Sequence, residues 1–125
     1  MKKKINTTGF IKNYSNEALM SKIARFGKKM GGKLLYNVFA LYYVLKSRDV
    51  PIKVKGEILG ALGYVIMPLD LIPDFIPVGG FADDFAAVAF AVQSARANIT
   101  PEIQHKAEQR VQDYLGDVTD YELAV

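Results

Sequence analysis

The chain has 125 residues, of which 50% are hydrophobic and 23% are charged. This length fits a single domain with one core, and the composition is that of a globular protein somewhat more apolar than average. Because the sequence contains no cysteine, it excludes disulfides, thiolate zinc sites, iron–sulfur clusters and cysteine nucleophiles.

The charges are divided unequally along the chain. Residues 1–55 hold thirteen Lys or Arg and two acids, a net charge of +11, whereas residues 56–125 hold three basic and eleven acidic residues, a net charge of −8. Such an asymmetry indicates either attraction of the first half to an anionic surface or contact between the two halves.

The first part of the chain is predicted to be a basic tail followed by a basic amphipathic helix. Residues 1–14 form the tail, and since no apolar stretch follows its lysines, we expect no signal peptide. Ser15 is the predicted N-cap of a helix that ends near Lys29 or Met30. The apolar stripe of this helix consists of Leu19, Ile23, Phe26 and Met30. The basic residues on and just after it are Lys22, Arg25, Lys28, Lys29 and Lys33.

A glycine pair separates this helix from a second one. Gly31 and Gly32 are expected to break or bend the chain. The segment from Leu34 to Leu45 is then apolar on every side except at Asn37. We therefore expect the second helix to be buried, in protein or in lipid.

Three further helices are predicted in the second half of the chain. The third begins at Pro51 and ends near Pro68, because proline disfavours helical geometry in the residue before it. Its glycines allow another backbone to approach closely. The fourth covers residues 82–97, and the fifth runs from its cap Thr100 to Gly116. No segment of strand length alternates with a period of two.

The predicted fold class is therefore all-α: a compact bundle of four to five helices, with a central hairpin of two helices joined by a Pro/Asp-rich turn. We assign residues 15–116 to one helical domain and residues 117–125 to an acidic tail. The sequence shows no nucleophile elbow and no phosphate-binding glycine loop, and its one histidine, His105, falls on the polar side of the last helix. We expect no enzyme activity and no cofactor.

The turn between the third and fourth helices, PLDLIPDFIPVGGFADD, places four aspartates among apolar residues and prolines. One interpretation is structural, in which the prolines stiffen the turn and the aspartates cap the helical segments that follow. The alternative is a site for a divalent cation or a protein partner, because carboxylates are the usual ligands of magnesium and calcium. The residues concerned are Pro68, Asp70, Pro73, Asp74, Pro77, Gly79, Gly80, Asp83 and Asp84.

The same stretch resembles the YkvA family, also called domain of unknown function 1232. The resemblance covers roughly residues 50–92 and includes Leu71, Ile72 and Tyr64 besides the prolines, aspartates and glycines just named. It implies a small bacterial domain, often described as membrane-associated, whose biochemical role is not established. It implies no catalytic or binding residue.

Two functions follow as hypotheses. Neither apolar run, 34–45 or 58–69, can span a bilayer alone, since about 12 residues make roughly 18 Å of helix against ~30 Å of hydrocarbon. The favoured hypothesis is a noncatalytic protein on the cytoplasmic side of the membrane. Its basic residues would bind anionic lipid, its apolar stripe would insert into the interface, and an apolar helical hairpin would lie beside it. The alternative is a soluble cytoplasmic module whose Asp-rich turn holds a cation or a protein partner. Nucleic acid is the less favoured partner, because the nearby aromatics lie on apolar stripes.

Overall fold

Four α-helices make up the computed structural model, which describes residues 11, 14–66, 82–116 and 123–124, with the backbone alone for residues 82–84. They are α1 (Asn16–Lys46), α2 (Ile52–Ile66), α3 (Ala82–Ala95) and α4 (Pro101–Leu115), and a 3₁₀ turn, Arg96–Asn98, follows α3. No strand occurs in these residues, and the predicted all-α class is confirmed.

Helix α1 consists of two arms that lie side by side. Gly31 interrupts it with φ 86° and ψ 162°, a backbone conformation that is essentially restricted to glycine. Arg110 donates to the Tyr43 hydroxyl over 3.0 Å and contacts Met20 Sδ at 3.5 Å. In a straight helix Met20 and Tyr43 would be about 35 Å apart. One guanidinium reaches both, so the N-terminal arm (16–30) folds back along the C-terminal arm (32–46) at Gly31.

The C-terminal arm of α1 is the centre of the fold. Every residue from Leu34 to Tyr42 is buried, and α1 packs against α2, α3 and α4. The arm that the sequence predicts to be apolar on every side is therefore buried in protein. Its burial explains why a helix of this composition needs no polar face.

Helices α2 and α3 pack against each other through small residues. Gly60 and Gly63 of α2 are buried, as are Ala87, Ala91 and Ala95 of α3. Helices α2 and α3 are in contact, and small residues at buried positions permit a close approach of two backbones. The pair thus forms the second layer of the bundle beside α1.

The helix ends follow local sequence signals. Ser15 Oγ accepts the N–H of Ala18 at 3.0 Å, and Thr100 Oγ1 accepts the N–H of Ile103 at 3.2 Å. Gly116 ends α4 with φ 80°. These three predicted ends are confirmed, because capping depends on residues within one helical turn.

Candidate functional site

The exposed basic face consists of Arg25, Lys28 and Lys29 on the N-terminal arm of α1. All three side chains are exposed, and the Arg25 guanidinium lies 5.2 Å from the centroid of the half-buried Phe26 ring. Within the described part of the chain, no carboxylate forms an ion pair with these three residues. The described carboxylates therefore leave the charge of these three side chains unpaired.

The apolar stripe beneath this face belongs to the protein core. Leu19, Ile23 and Met30 are 0%, 1% and 7% exposed, and Phe26 is half-buried. The expectation that these side chains dip into a lipid interface is wrong for this conformation. The physical reason is the reversal at Gly31, because the folded-back arm turns its stripe toward the C-terminal arm instead of toward the outside.

Lys22 also differs from its predicted place on the surface. Its side chain is only 8% exposed, and Nζ donates a hydrogen bond to the carbonyl of Val65 in the last turn of α2. The last carbonyls of a helix lack intrahelical partners and carry partial negative charge, which favours a cation there. Lys22 therefore binds the end of α2 and is not part of the exposed basic face.

Lys33 stands on the C-terminal arm, two residues past the reversal. It is exposed, and its Nζ lies 5.6 Å from the centroid of the Phe85 ring near the start of α3. A cation over an aromatic face is a favourable contact of about 0.5 to 1 kcal/mol at an exposed position. Lys22 and Lys33 thus attach α1 to the two helices that flank residues 67–81.

Comparison with known families bears on that same region. Residues 54–90 match a family model described as "Protein of unknown function (DUF1232)". We refer to these residues as the DUF1232 segment, because they are similar to that family model. It lies within the range of the resemblance found in the sequence and covers most of α2 and the first part of α3. Comparisons with curated proteins and with solved structures found no match.

Most of the predicted Pro/Asp turn of the DUF1232 segment lies outside the described residues, namely Pro68, Asp70, Pro73, Asp74, Pro77, Gly79 and Gly80. The backbone of Asp83 and Asp84 lies in the first turn of α3, as predicted. Among the residues whose structure is described, no group of three His, Asp or Glu side chains could hold a metal ion. The cation hypothesis for the turn stays a prediction.

Asn37 is a buried polar residue whose role was not predicted. It is 0% exposed; its Nδ2 donates to the carbonyl of Lys33 at 2.8 Å, and its Oδ1 accepts the N–H of Ala124 at 2.8 Å. Ala124 is itself buried. Ala124, near the end of the predicted acidic tail, is therefore bound to α1 one helical turn from Lys33. Lys33 itself contacts Phe85 of the DUF1232 segment. The lone amide within an apolar run was the sequence signal for such a contact.

A cluster of aromatic and cationic side chains joins α1 to α4. The Arg110 guanidinium lies 4.9 Å from the Phe39 ring centroid and donates to Tyr43. Burial, together with the negative charge that Tyr42 acquires on ionisation, raises the pKa of Tyr14 from 10.0 to about 12. Phe39 is fully buried and is therefore part of the core.

His105 is exposed on α4, as predicted, and its ring lies 3.4 Å from the Gln109 amide. Within the described ranges, the helices are all too short or too polar to cross a membrane.

Proposed function

We propose that this DUF1232-containing chain is a noncatalytic protein that binds the anionic surface of the cytoplasmic membrane through the exposed basic face. The observation that carries the proposal is the grouping of three exposed cations, Arg25, Lys28 and Lys29, within five residues of one arm, where no described carboxylate neutralises them. Anionic head groups supply the missing negative charge.

The attachment is electrostatic and peripheral. Each Lys or Arg near an anionic leaflet contributes about 1 kcal/mol, so the three side chains together contribute roughly 3 kcal/mol. The basic tail adds Lys2, Lys3, Lys4 and Lys12 to the same half of the chain. The apolar stripe contributes nothing to insertion, because it is already buried in the core. Charge attraction of this kind weakens as the Debye length shortens with salt.

A vesicle sedimentation assay tests the proposal. The protein is mixed with vesicles of phosphatidylcholine alone or with added phosphatidylserine, at low and at high salt. We expect binding only to the anionic vesicles, with release at high salt. The variant R25Q/K28Q/K29Q should lose most of this binding.

The matched control is K53Q/K55Q/R96Q, which removes the same charge from exposed or half-exposed cations elsewhere. Equal loss of binding in both variants would mean that net charge, not this face, is responsible. Wild-type protein that stays in the supernatant with every vesicle would contradict the proposal and favour the soluble module whose Asp-rich turn holds a cation or a partner.

A further inference from the structure

A groove of about 610 Å³ lies at the opposite end of the two α1 arms from the Gly31 reversal. Its walls are the last turn of α1, the connection to α2, and the 3₁₀ turn with the start of α4. Three cations line it: Lys46, Arg48 and Lys106. It is separate from the exposed basic face, which adjoins Gly31; Gly31 itself lies about 20 Å from the groove along the arm.

Aromatic rings, and not carboxylates, hold two of these cations. Lys46 Nζ lies 5.1 Å from the Tyr42 ring centroid and donates to the Tyr42 hydroxyl at 3.3 Å. Lys106 Nζ lies 5.8 Å from the Tyr43 ring centroid. A cation on a ring face keeps its positive charge and most of its N–H donors. In the part of the chain that the structure describes, none of the three cations forms an ion pair.

Hydroxyl donors lie beside the cations. The Tyr43 hydroxyl accepts from Arg110 at 3.0 Å, and the Thr100 hydroxyl accepts from the N–H of Ile103 at 3.2 Å. Each hydroxyl oxygen thus accepts a hydrogen bond. Among the described residues, no group accepts a hydrogen bond from either hydroxyl proton, so both hydroxyls can donate to a ligand. Both residues line the groove, which therefore offers charged and neutral donors together.

The carboxylates of Asp49 and Glu102 also line the groove. They would repel a ligand that is negatively charged over its whole length, but they can accept hydrogen bonds from hydroxyl groups. The volume is within the range of about 300 to 1,000 Å³ found for small-molecule sites. A ligand with one strongly anionic group and a polyhydroxy remainder fits both sets of groups.

We propose that this groove binds the phosphate group of a small phosphate monoester that also carries hydroxyl groups, such as a glycerol phosphate. Phosphate suits the site because its three oxygens can accept from Lys46, Arg48 and Lys106, with Tyr43 and Thr100 as further donors. A phosphate monoester with neighbouring hydroxyl groups occurs both in free phosphate esters and in the phosphorylated inositol head groups of lipids. The proposal is independent of the exposed basic face, because the two sites share no residue.

Amide NMR titration of the full chain tests this site, with inorganic phosphate, glycerol 3-phosphate and, as a neutral comparison, glycerol. We expect saturable shifts at residues of the groove with glycerol 3-phosphate, weaker ones with phosphate, and none with glycerol. The variant R48Q/K106Q, which changes two exposed side chains, should weaken binding at least tenfold, and Tyr43→Phe should weaken it severalfold. The variant R25Q/K28Q/K29Q should bind glycerol 3-phosphate like the wild type.

Shifts that rise linearly without saturation, or that are equally large in R48Q/K106Q, would overturn the proposal. Vesicles that contain phosphatidylinositol 4-phosphate, whose head group carries a phosphate monoester and hydroxyl groups, distinguish the two sources of the ester. A preference for these vesicles over phosphatidylserine vesicles that is lost in R48Q/K106Q assigns the site to a lipid head group. A wild type without that preference, together with lost glycerol 3-phosphate binding in R48Q/K106Q, assigns it to a free ester. Failure of the vesicle assay for the basic face leaves this titration unaffected.

Discussion

Replacing Gly31 by alanine should destabilise the protein by about 1 to 2 kcal/mol. The backbone at Gly31 has φ 86° and ψ 162°, where a residue with a Cβ costs on the order of 1–3 kcal/mol. No heavy atom lies within 4 Å of a Cβ built there, so steric contact adds nothing to this cost. The smaller entropy of alanine in the unfolded chain offsets it by about 0.4–1 kcal/mol.

Thermal unfolding and urea unfolding measure this effect. For a domain of this size a loss of 1 kcal/mol lowers Tm by roughly 4 °C, so Gly31→Ala should unfold about 4–8 °C below the wild type. Gly56→Ala is the matched control. Gly56 lies inside α2 with no heavy atom within 4 Å of its Cβ, and alanine there should stabilise by about 0.5–1 kcal/mol. If Gly31→Ala is as stable as the wild type, the chain does not reverse at Gly31.

Three further predictions concern buried or half-buried polar groups. Asn37→Leu should lower the free energy of unfolding by about 1–3 kcal/mol, because the buried N–H of Ala124 loses its acceptor. Hydrogen exchange at the Ala124 amide should accelerate, and an unchanged exchange rate would contradict the contact. Lys22→Met should cost about 1–3 kcal/mol in urea unfolding, because it removes the donor to the end of α2, whereas Lys28→Met on the exposed face of the same arm should change stability by less than about 0.5 kcal/mol. Between pH 10 and 12 the free energy of unfolding should fall as the pH rises. An unfolded tyrosine has a pKa of 10.0, whereas the pKa of Tyr14 in the folded protein is about 12, so only the unfolded state loses this proton in that range. The variant Tyr14→Phe should make the fall shallower.

The caps and the helical character of the described segments depend on local chemistry and could be predicted from the sequence. Ser15 and Thr100 each cap with a side chain that reaches three residues ahead. The break at Gly31 was predictable for the same reason. The reversal of direction at that glycine was not, because a glycine pair permits many angles and the packing of Met20 and Tyr43 against Arg110 selects one of them.

The contacts between distant segments could not be predicted. Helical periodicity predicts that Lys22 lies next to the apolar stripe that contains Ile23. It does not predict that the end of another helix lies beside Lys22, because Val65 is 43 residues away in the sequence. Asn37 stood out in its apolar run, yet its partner Ala124 is 87 residues away. As a result, the sequence identified the cations of α1 but did not separate the buried Lys22 from the exposed Arg25.

The central position of the C-terminal arm of α1 has a consequence for synthesis on the ribosome. This arm is the most apolar part of α1, but α4, which covers it, is completed about 70 residues later. At about 5–20 residues per second this delay is roughly 4–14 s. Until α2 and α3 are made, the N-terminal arm is the part of the described chain that can already cover this apolar helix. The fold-back at Gly31 therefore shields the arm before the rest of the protein exists, and chaperone dependence during translation should rise when that glycine is replaced.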